Sequence, residues 1–217
     1  MRIGVRENDY MKPEAFLFDI GNVLLAFDFN KVLDRLSAYS NVPGPEIEKL
    51  LEPLKHEYES GQITDAQFLD YLKRRLQFQG EERHLVAIWQ EIFMPIEATH
   101  DLVQQLHRLK FPLYLLSNTN GLHAKYFLTT YRVFDVFRGG IYSHKVQMMK
   151  PNREIYEYAI MEFGLNPART VFIDDLEPNV STAKAVGFEV HHYAKERHEQ
   201  LIKQLRGYGL DVYGEHE

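Results

Sequence analysis

The sequence predicts an α/β protein: a parallel central sheet with helices on both faces and one all-helical insertion. Three observations predict it. Apolar runs at Phe16-Leu17-Phe18, Leu113-Tyr114-Leu115-Leu116 and Val171-Phe172-Ile173 each end in polar residues, as strands buried on both faces do. Helical patterns separate the second and third runs, as parallel pairing requires. Between the first and second, residues from about 30 to 94 carry helical periodicity alone.

The elements follow in order. Asn30 is predicted to cap a helix bearing Val32, Leu33 and Leu36. After the turn at Asn41-Val42-Pro43-Gly44, Pro45 suits a first helical position. Ile47, Leu50, Leu51 and Leu54 then form an amphipathic stripe, ended by Ser60-Gly61. Thr64 to Gln67 reads as a capping box. It opens a helix with Phe68, Tyr71, Leu72 and Leu76 on one side, stopped by Gly80. A fourth helix carries Leu85, Ile88, Trp89 and Ile92, and Pro95 closes the series. A helix with Leu102, Leu106 and Leu109 leads into the strand ending at Ser117-Asn118. A helix with Tyr126 and Phe127 follows, then a short strand or loop from Gly139. Lys150-Pro151 opens a helix with Ile155, Ala159, Ile160 and Phe163, with Gly164 just past its end. The strand ending in Asp174-Asp175 comes next. A helix from Asn179 to Val186 is terminated by Gly187, and Phe188 to Tyr193 form the last strand.

Composition narrows the classes. The 217 residues are 45% hydrophobic, enough for one sizeable core with an inserted subdomain. A net charge of -6 argues against nucleic acid and anionic membrane as partners. The absence of cysteine excludes disulfides, thiolate metal sites and cysteine nucleophiles, and it agrees with a cytoplasmic location. Residues 1–12 are polar and lack the apolar stretch of a secretory signal, so they read as a loose extension, with Met11 as an alternative start. No apolar run is long enough to span a bilayer.

If the sheet is parallel, Asp19, Ser117-Asn118 and Asp174-Asp175 gather on the rim at the carboxyl ends of the strands, where open α/β sheets bind ligands. Lys150 starts a helix between the last two. Clustered carboxylates without a thiolate suit a hard cation such as Mg²⁺. A lysine and a hydroxyl beside them suit a phosphoryl group, and a carboxylate nucleophile would form an aspartyl phosphate.

In these motifs the chain resembles the haloacid dehalogenase superfamily, in the subgroup with a helical cap after the first strand. The resemblance runs from about Ala15 to Tyr193. Asp19 matches the nucleophile, Ser117 the second motif, Lys150 the third, and Asp174-Asp175 with Asn179 the fourth. Phe-Asp-Ile-Gly-Asn-Val at 18–23 and Asp-Phe-Asn at 28–30 are similar to a bacterial group that includes glucose-1-phosphate phosphatases. That group is related to the phosphatase domain of soluble epoxide hydrolase. The resemblance implies a Rossmann-like core over 13–29 and 95–217 and a four-helix cap over 30–94.

The activity it implies is Mg²⁺-dependent hydrolysis of a small phosphorylated metabolite, such as a sugar phosphate, by a monomer or weak homo-oligomer. Asp19, Ser117 and Lys150 are then the catalytic residues. Ser117, Asn118 and Lys150 would bind phosphate. Asp19, Asp174, Asp175 and the Gly21 carbonyl would hold the metal, with Asp174 also suited to orienting Lys150. Gly21 stands where most members carry a second aspartate that acts as general acid and base. Two alternatives stay open: a 2-haloacid dehalogenase, against which the paired Asp174-Asp175 argue, and a metal- and phosphate-binding regulator without turnover, supported by Gly21 alone. His56, Glu57 and Glu59 could line a cleft but read rather as solvated residues of the insert, and they are the first place to look for a replacement proton donor. Asp28 suits either a pocket wall or a helix cap. His123, His191 and His192 read as structural or surface residues.

Overall fold

The computed structural model of the protein describes residues 12–213. Apart from Lys12, the extension expected over residues 1–12 lies outside them, as does the alternative start at Met11. The strands are β1 (Ala15–Phe18), β2 (Leu25–Phe27), β3 (Phe93–Pro95), β4 (Leu113–Ser117), β5 (Gly139–Tyr142), β6 (Thr170–Asp174) and β7 (Glu189–His192). The helices are α1 (Phe29–Ser37), α2 (Gly44–Glu59), α3 (Asp65–Arg75), α4 (Glu82–Gln90), α5 (Glu97–Arg108), α6 (Gly121–Thr130), α7 (Ser143–Val146), α8 (Arg153–Phe163), α9 (Glu177–Val186) and α10 (His198–Gly207).

The main sheet has the order β5-β4-β1-β6-β7, and every neighbouring pair is parallel. Side chains alternate across a strand, and β1 divides accordingly. Phe16 and Phe18 join the core built with α5, α6 and α10. Ala15 and Leu17 join the core built with α8 and α9. β1 is therefore buried on both faces, which is why its run is apolar throughout. The register pairs Phe18 with Leu115 on one side and with Ile173 on the other. The next residue of each strand or its immediate successor is Asp19, Ser117 or Asp174, so the polar groups emerge together at one rim.

The insertion has its own core, with Val32, Leu36, Ile47, Leu51, Phe68, Leu72, Leu85 and Trp89 buried among α1 to α4. Its entry and exit strands, β2 and β3, pair antiparallel with Ala26 opposite Met94. This ribbon escaped the sequence reading because three-residue strands are too short to display a period. At Thr64 the capping box forms as read: Thr64 accepts from the Gln67 N–H, and the Gln67 side chain accepts from the Thr64 N–H. Thr64→Ala is expected to cost about 1 kcal/mol, lowering the melting temperature by about 2–4 °C, with no change in the rate of any reaction at the rim.

Several local expectations need correction. The cap of α1 is Asp28, whose carboxylate accepts from the Asn30 N–H at 3.1 Å, so Asn30 lies inside the helix. α3 ends at Arg75, before Gly80, because the chain turns at Gln77 with φ of 46°. α8 starts at Arg153, beyond Lys150-Pro151. α10 was not anticipated, although its buried Leu201, Ile202 and Leu205 show helical spacing. Gly164 and Gly187 close their helices as read, with φ of 61° and 111°, the left-handed region that glycine enters without strain. Among the described residues, no helix is long and apolar enough to cross a membrane.

Candidate active site

The rim is built from three neighbouring strands. The Asp19 N–H donates to the Ile173 carbonyl at 2.9 Å, extending the β1–β6 ladder one residue and fixing the Asp19 backbone. The chain then folds back on itself: the Ile20 carbonyl accepts from Leu24 and Leu25 N–H groups, both at 2.9 Å. Asn22 takes the left-handed conformation this turn needs, with φ of 51°, which asparagine tolerates better than most residues. Its side chain reaches across and donates to Asp175 Oδ2 at 3.0 Å.

Lys150 is buried at the centre. Its Nζ lies 2.8 Å from Asp19 Oδ1 and 2.6 Å from Asp174 Oδ2. Its backbone is clamped by the Asn118 side chain, which accepts from the Lys150 N–H at 2.9 Å and donates to the Lys150 carbonyl at 2.8 Å. Asn118 thus positions the lysine with its side chain and keeps its own N–H for another partner. Ser117 is buried, and its hydroxyl makes only a 3.5 Å contact to the Asn118 carbonyl.

Asp174 is fully buried and already engaged. It accepts from the Leu176 N–H at 2.9 Å, from the Asn179 amide at 2.9 and 3.1 Å, and from Lys150. Asp175 is half-buried. Its carbonyl accepts from His192 Nε2 at 2.9 Å.

Carboxylate oxygens of Asp19, Asp174 and Asp175 lie within 4.8 Å of one another. Three acids face one ammonium, so the rim carries excess negative charge in a place poorly reached by water. Burial pushes the Asp19 carboxyl up to about 7, with Lys150 pulling it down and Asp174 and Asp175 adding to the rise. Burial also raises Asp175, against its hydrogen bond from Asn22. Burial works against the Lys150 ammonium, yet Asp19 and Asp174 hold its pKa above the ordinary lysine value. Oxygen donors of this number and charge fit a hard divalent cation. Asp19 and Asp175 have capacity to bind it, and Gly21 lines the same cavity. Asp174 is the least available of the acids, because its oxygens already accept four hydrogen bonds from three donor groups.

A cavity of about 310 Å³ opens over these residues. Asp19, Ser117, Asn118, Lys150 and Asp175 form its floor, and Phe27, Phe29, Trp89, Ile92, Phe93 and Phe127 form aromatic and aliphatic walls. Lys55 and Glu59 of α2 reach it from the insertion. His123 also lines it but is locked. Its Nε2 donates to the Trp89 carbonyl at 2.8 Å, its Nδ1 accepts from the Asn120 amide at 3.0 Å, and burial pushes it down to about 4. It is a neutral structural residue near pH 7.

The structure therefore brings together Asp19, Gly21, Ser117, Asn118, Lys150, Asp174, Asp175 and Asn179. His56 and Glu57 are exposed and outside the cavity, and Asp28 caps α1. Sequence reasoning missed Asn22, Lys55, the aromatic walls and the contact of His192 with the Asp175 carbonyl. Only Asn22 carried a signal: an asparagine after a glycine, where the chain must turn just past the acid.

Residues 13–187 match the family model described as haloacid dehalogenase-like hydrolase. That match spans most of the chain, and the chain belongs to this family. It is 25% identical over 178 residues to a sesquiterpene phosphatase of Aspergillus oryzae, covering 80% of this chain and 86% of the relative. It is 23% identical over 188 residues to a D-ribitol-5-phosphate phosphatase of Bacteroides thetaiotaomicron, covering 80% and 88%. Among solved structures, it is similar to a haloacid dehalogenase family enzyme of Bacteroides thetaiotaomicron in complex with magnesium and inorganic phosphate. The TM-score is 0.73 and the identity 29%, over 82% of this chain and 93% of that one.

Proposed function

We propose that the protein is a Mg²⁺-dependent phosphatase of small phosphate monoesters, with Asp19 as nucleophile and residues 30–94 as a cap over the site. The observation that carries this reading is the position of Lys150, buried between Asp19 and Asp174 with Asp175 opposite. The names of the relatives and the magnesium and phosphate bound by the solved neighbour support it.

In this reading Asp19, Asp175 and the Gly21 carbonyl hold Mg²⁺, which neutralises charge on the phosphoryl oxygens when bound. Lys150 binds a further oxygen and keeps Asp19 oriented. The Ser117 hydroxyl and the Asn118 N–H complete the cradle. Asp19 attacks phosphorus, the alcohol leaves, and water then cleaves the aspartyl phosphate. The cap walls off bulk water and selects the alcohol. Their aromatic character suits an alcohol with an apolar face, whether the C–H face of a polyol or sugar or a hydrocarbon. Relatives of both kinds exist by name, so the sugar phosphate remains one branch of the proposal.

A screen of sugar, polyol and prenyl phosphates, with Mg²⁺ and with EDTA, tests this reading. Turnover should appear with Mg²⁺ and fall to background in EDTA. Full activity in EDTA on a 2-haloacid would return the assignment to a dehalogenase. Magnesium and phosphate binding without turnover of any ester would leave a binding protein.

A further inference from the structure

Gly21 leaves the chain without an acid two residues after the nucleophile, and the space there is partly taken. A Cβ at position 21 would lie 3.3 Å from the Phe27 ring. In an in-line displacement the leaving oxygen lies opposite Asp19, on the side of phosphorus that faces the cap. There α2 supplies the cavity with two ionisable side chains, Lys55 and Glu59. Lys55 is turned onto the Phe29 ring, its Nζ 4.3 Å from the centroid. The Glu59 carboxyl is half-buried and forms no hydrogen bond or ion pair among the described residues. Such an unpaired acid in a cleft with a nucleophile is a candidate for chemistry.

The backbone of Glu59 is fixed to the floor of the site. Its carbonyl accepts from Ser143 Oγ at 2.5 Å, and that same oxygen accepts from the Thr119 N–H at 2.9 Å, two residues after Ser117. Gly61 packs directly on the His144 carbonyl, where any Cβ would collide at 2.3 Å. The end of α2 is thereby held against the loop that follows β4. Burial pushes the Glu59 carboxyl up to about 7, with Lys55 pulling it down and Glu52 adding to the rise.

We infer that Glu59 is the general acid and base of this enzyme, supplied by the cap in place of the side chain missing at Gly21. This rests on the phosphatase reading. As Asp19 forms its bond to phosphorus, the bond to the leaving oxygen breaks. The electron pair stays on that oxygen, and the Glu59 proton passes to it, releasing the alcohol. The Glu59 carboxylate then takes a proton from the attacking water as the bond between Asp19 and phosphorus breaks. Phosphate leaves, with Asp19 and protonated Glu59 restored.

The test is Glu59→Gln, with formation and breakdown of the phosphoenzyme followed separately by rapid quench in the Mg²⁺-loaded protein. With 4-nitrophenyl phosphate, whose alcohol leaves without a proton, formation should stay at the parent rate. Breakdown should slow and produce a burst of nitrophenol. With a primary alkyl phosphate that the parent hydrolyses, formation should fall by about 10²-fold or more. An equal loss with both substrates would make Glu59 a positioning or binding residue and overturn the inference. An unchanged alkyl rate would overturn it as well. If the parent forms no phosphoenzyme with either ester, the phosphatase reading itself fails, a result distinct from both.

Discussion

Asp19→Asn is expected to abolish phosphate-ester turnover and to leave the chain folded. The amide keeps the volume of the carboxylate, and the backbone bond to Ile173 does not involve the side chain. An amide cannot form the aspartyl phosphate, and losing a covalent nucleophile removes about 10⁴-fold or more in rate, or roughly 5 kcal/mol of transition-state stabilisation. Stability should move the other way. The Asp19 carboxyl is raised to about 7 in the folded chain, against about 3.9 in an unfolded one. Between those values the folded state binds more protons than the unfolded state, so stability falls as pH rises. Asparagine carries no such penalty. At about pH 8, without metal, the variant should melt at or above the parent temperature, and this gain should vanish near pH 4. Mg²⁺ should then raise the melting temperature of the parent more than that of the variant. Rates from a purified, folded sample together with melts at both pH values check this. Turnover above about 10⁻³ of the parent would remove Asp19 from the nucleophile role.

What was legible in the sequence follows from the distances over which its signals act. β1, β4 and β6 are buried on both faces, so their apolar runs and terminal polar groups stand out without context. Their parallel pairing then brings Asp19, Ser117 and Asp174 to one rim with no further information. Capping at Thr64 and the glycines at 164 and 187 are local, and each needed only a few residues. Other features depend on tertiary contact. Asp28 and Asn30 are both competent caps, and the backbone decided between them. The β2–β3 ribbon exists because the two ends of the insertion meet, and nothing within Leu25–Phe27 announces that. Trp89 and Ile92 read as core residues of the insert, which they partly are. Their second role as cavity walls comes from how the insert sits over the sheet. Glu59 and its neighbours His56 and Glu57 are alike in sequence. Which of them faces the site was fixed by Ser143 and by the packing of Gly61 on His144, from a part of the chain that no local pattern connects to α2.

Lys150→Met is expected to damage both stability and rate, and the pH dependence should identify the cause. Methionine matches the length of the lysine and removes its charge. The ammonium is buried between Asp19 and Asp174, and removing one partner from such a cluster typically costs about 3–5 kcal/mol. That corresponds to a fall in melting temperature of about 10 °C for a chain of this size. Turnover should fall by roughly 10³-fold or more, since a cation aimed at a transferring phosphoryl group is worth at least that. Without Lys150, the Asp19 carboxyl should rise beyond its present value of about 7. The stability deficit should therefore be largest above the raised value and shrink toward about pH 5, where the carboxyl is protonated in both chains. Mg²⁺ at about pH 8 should recover part of the loss by supplying positive charge to the same acids. Combining Lys150→Met with Asp19→Asn should cost less than Lys150→Met alone, because asparagine removes one of the charges that the lost ammonium leaves uncompensated. Melts of the parent, both single variants and the double variant across pH measure this coupling. A Lys150→Met chain within about 1 kcal/mol of the parent at every pH would mean that the lysine does not balance the acids at the rim.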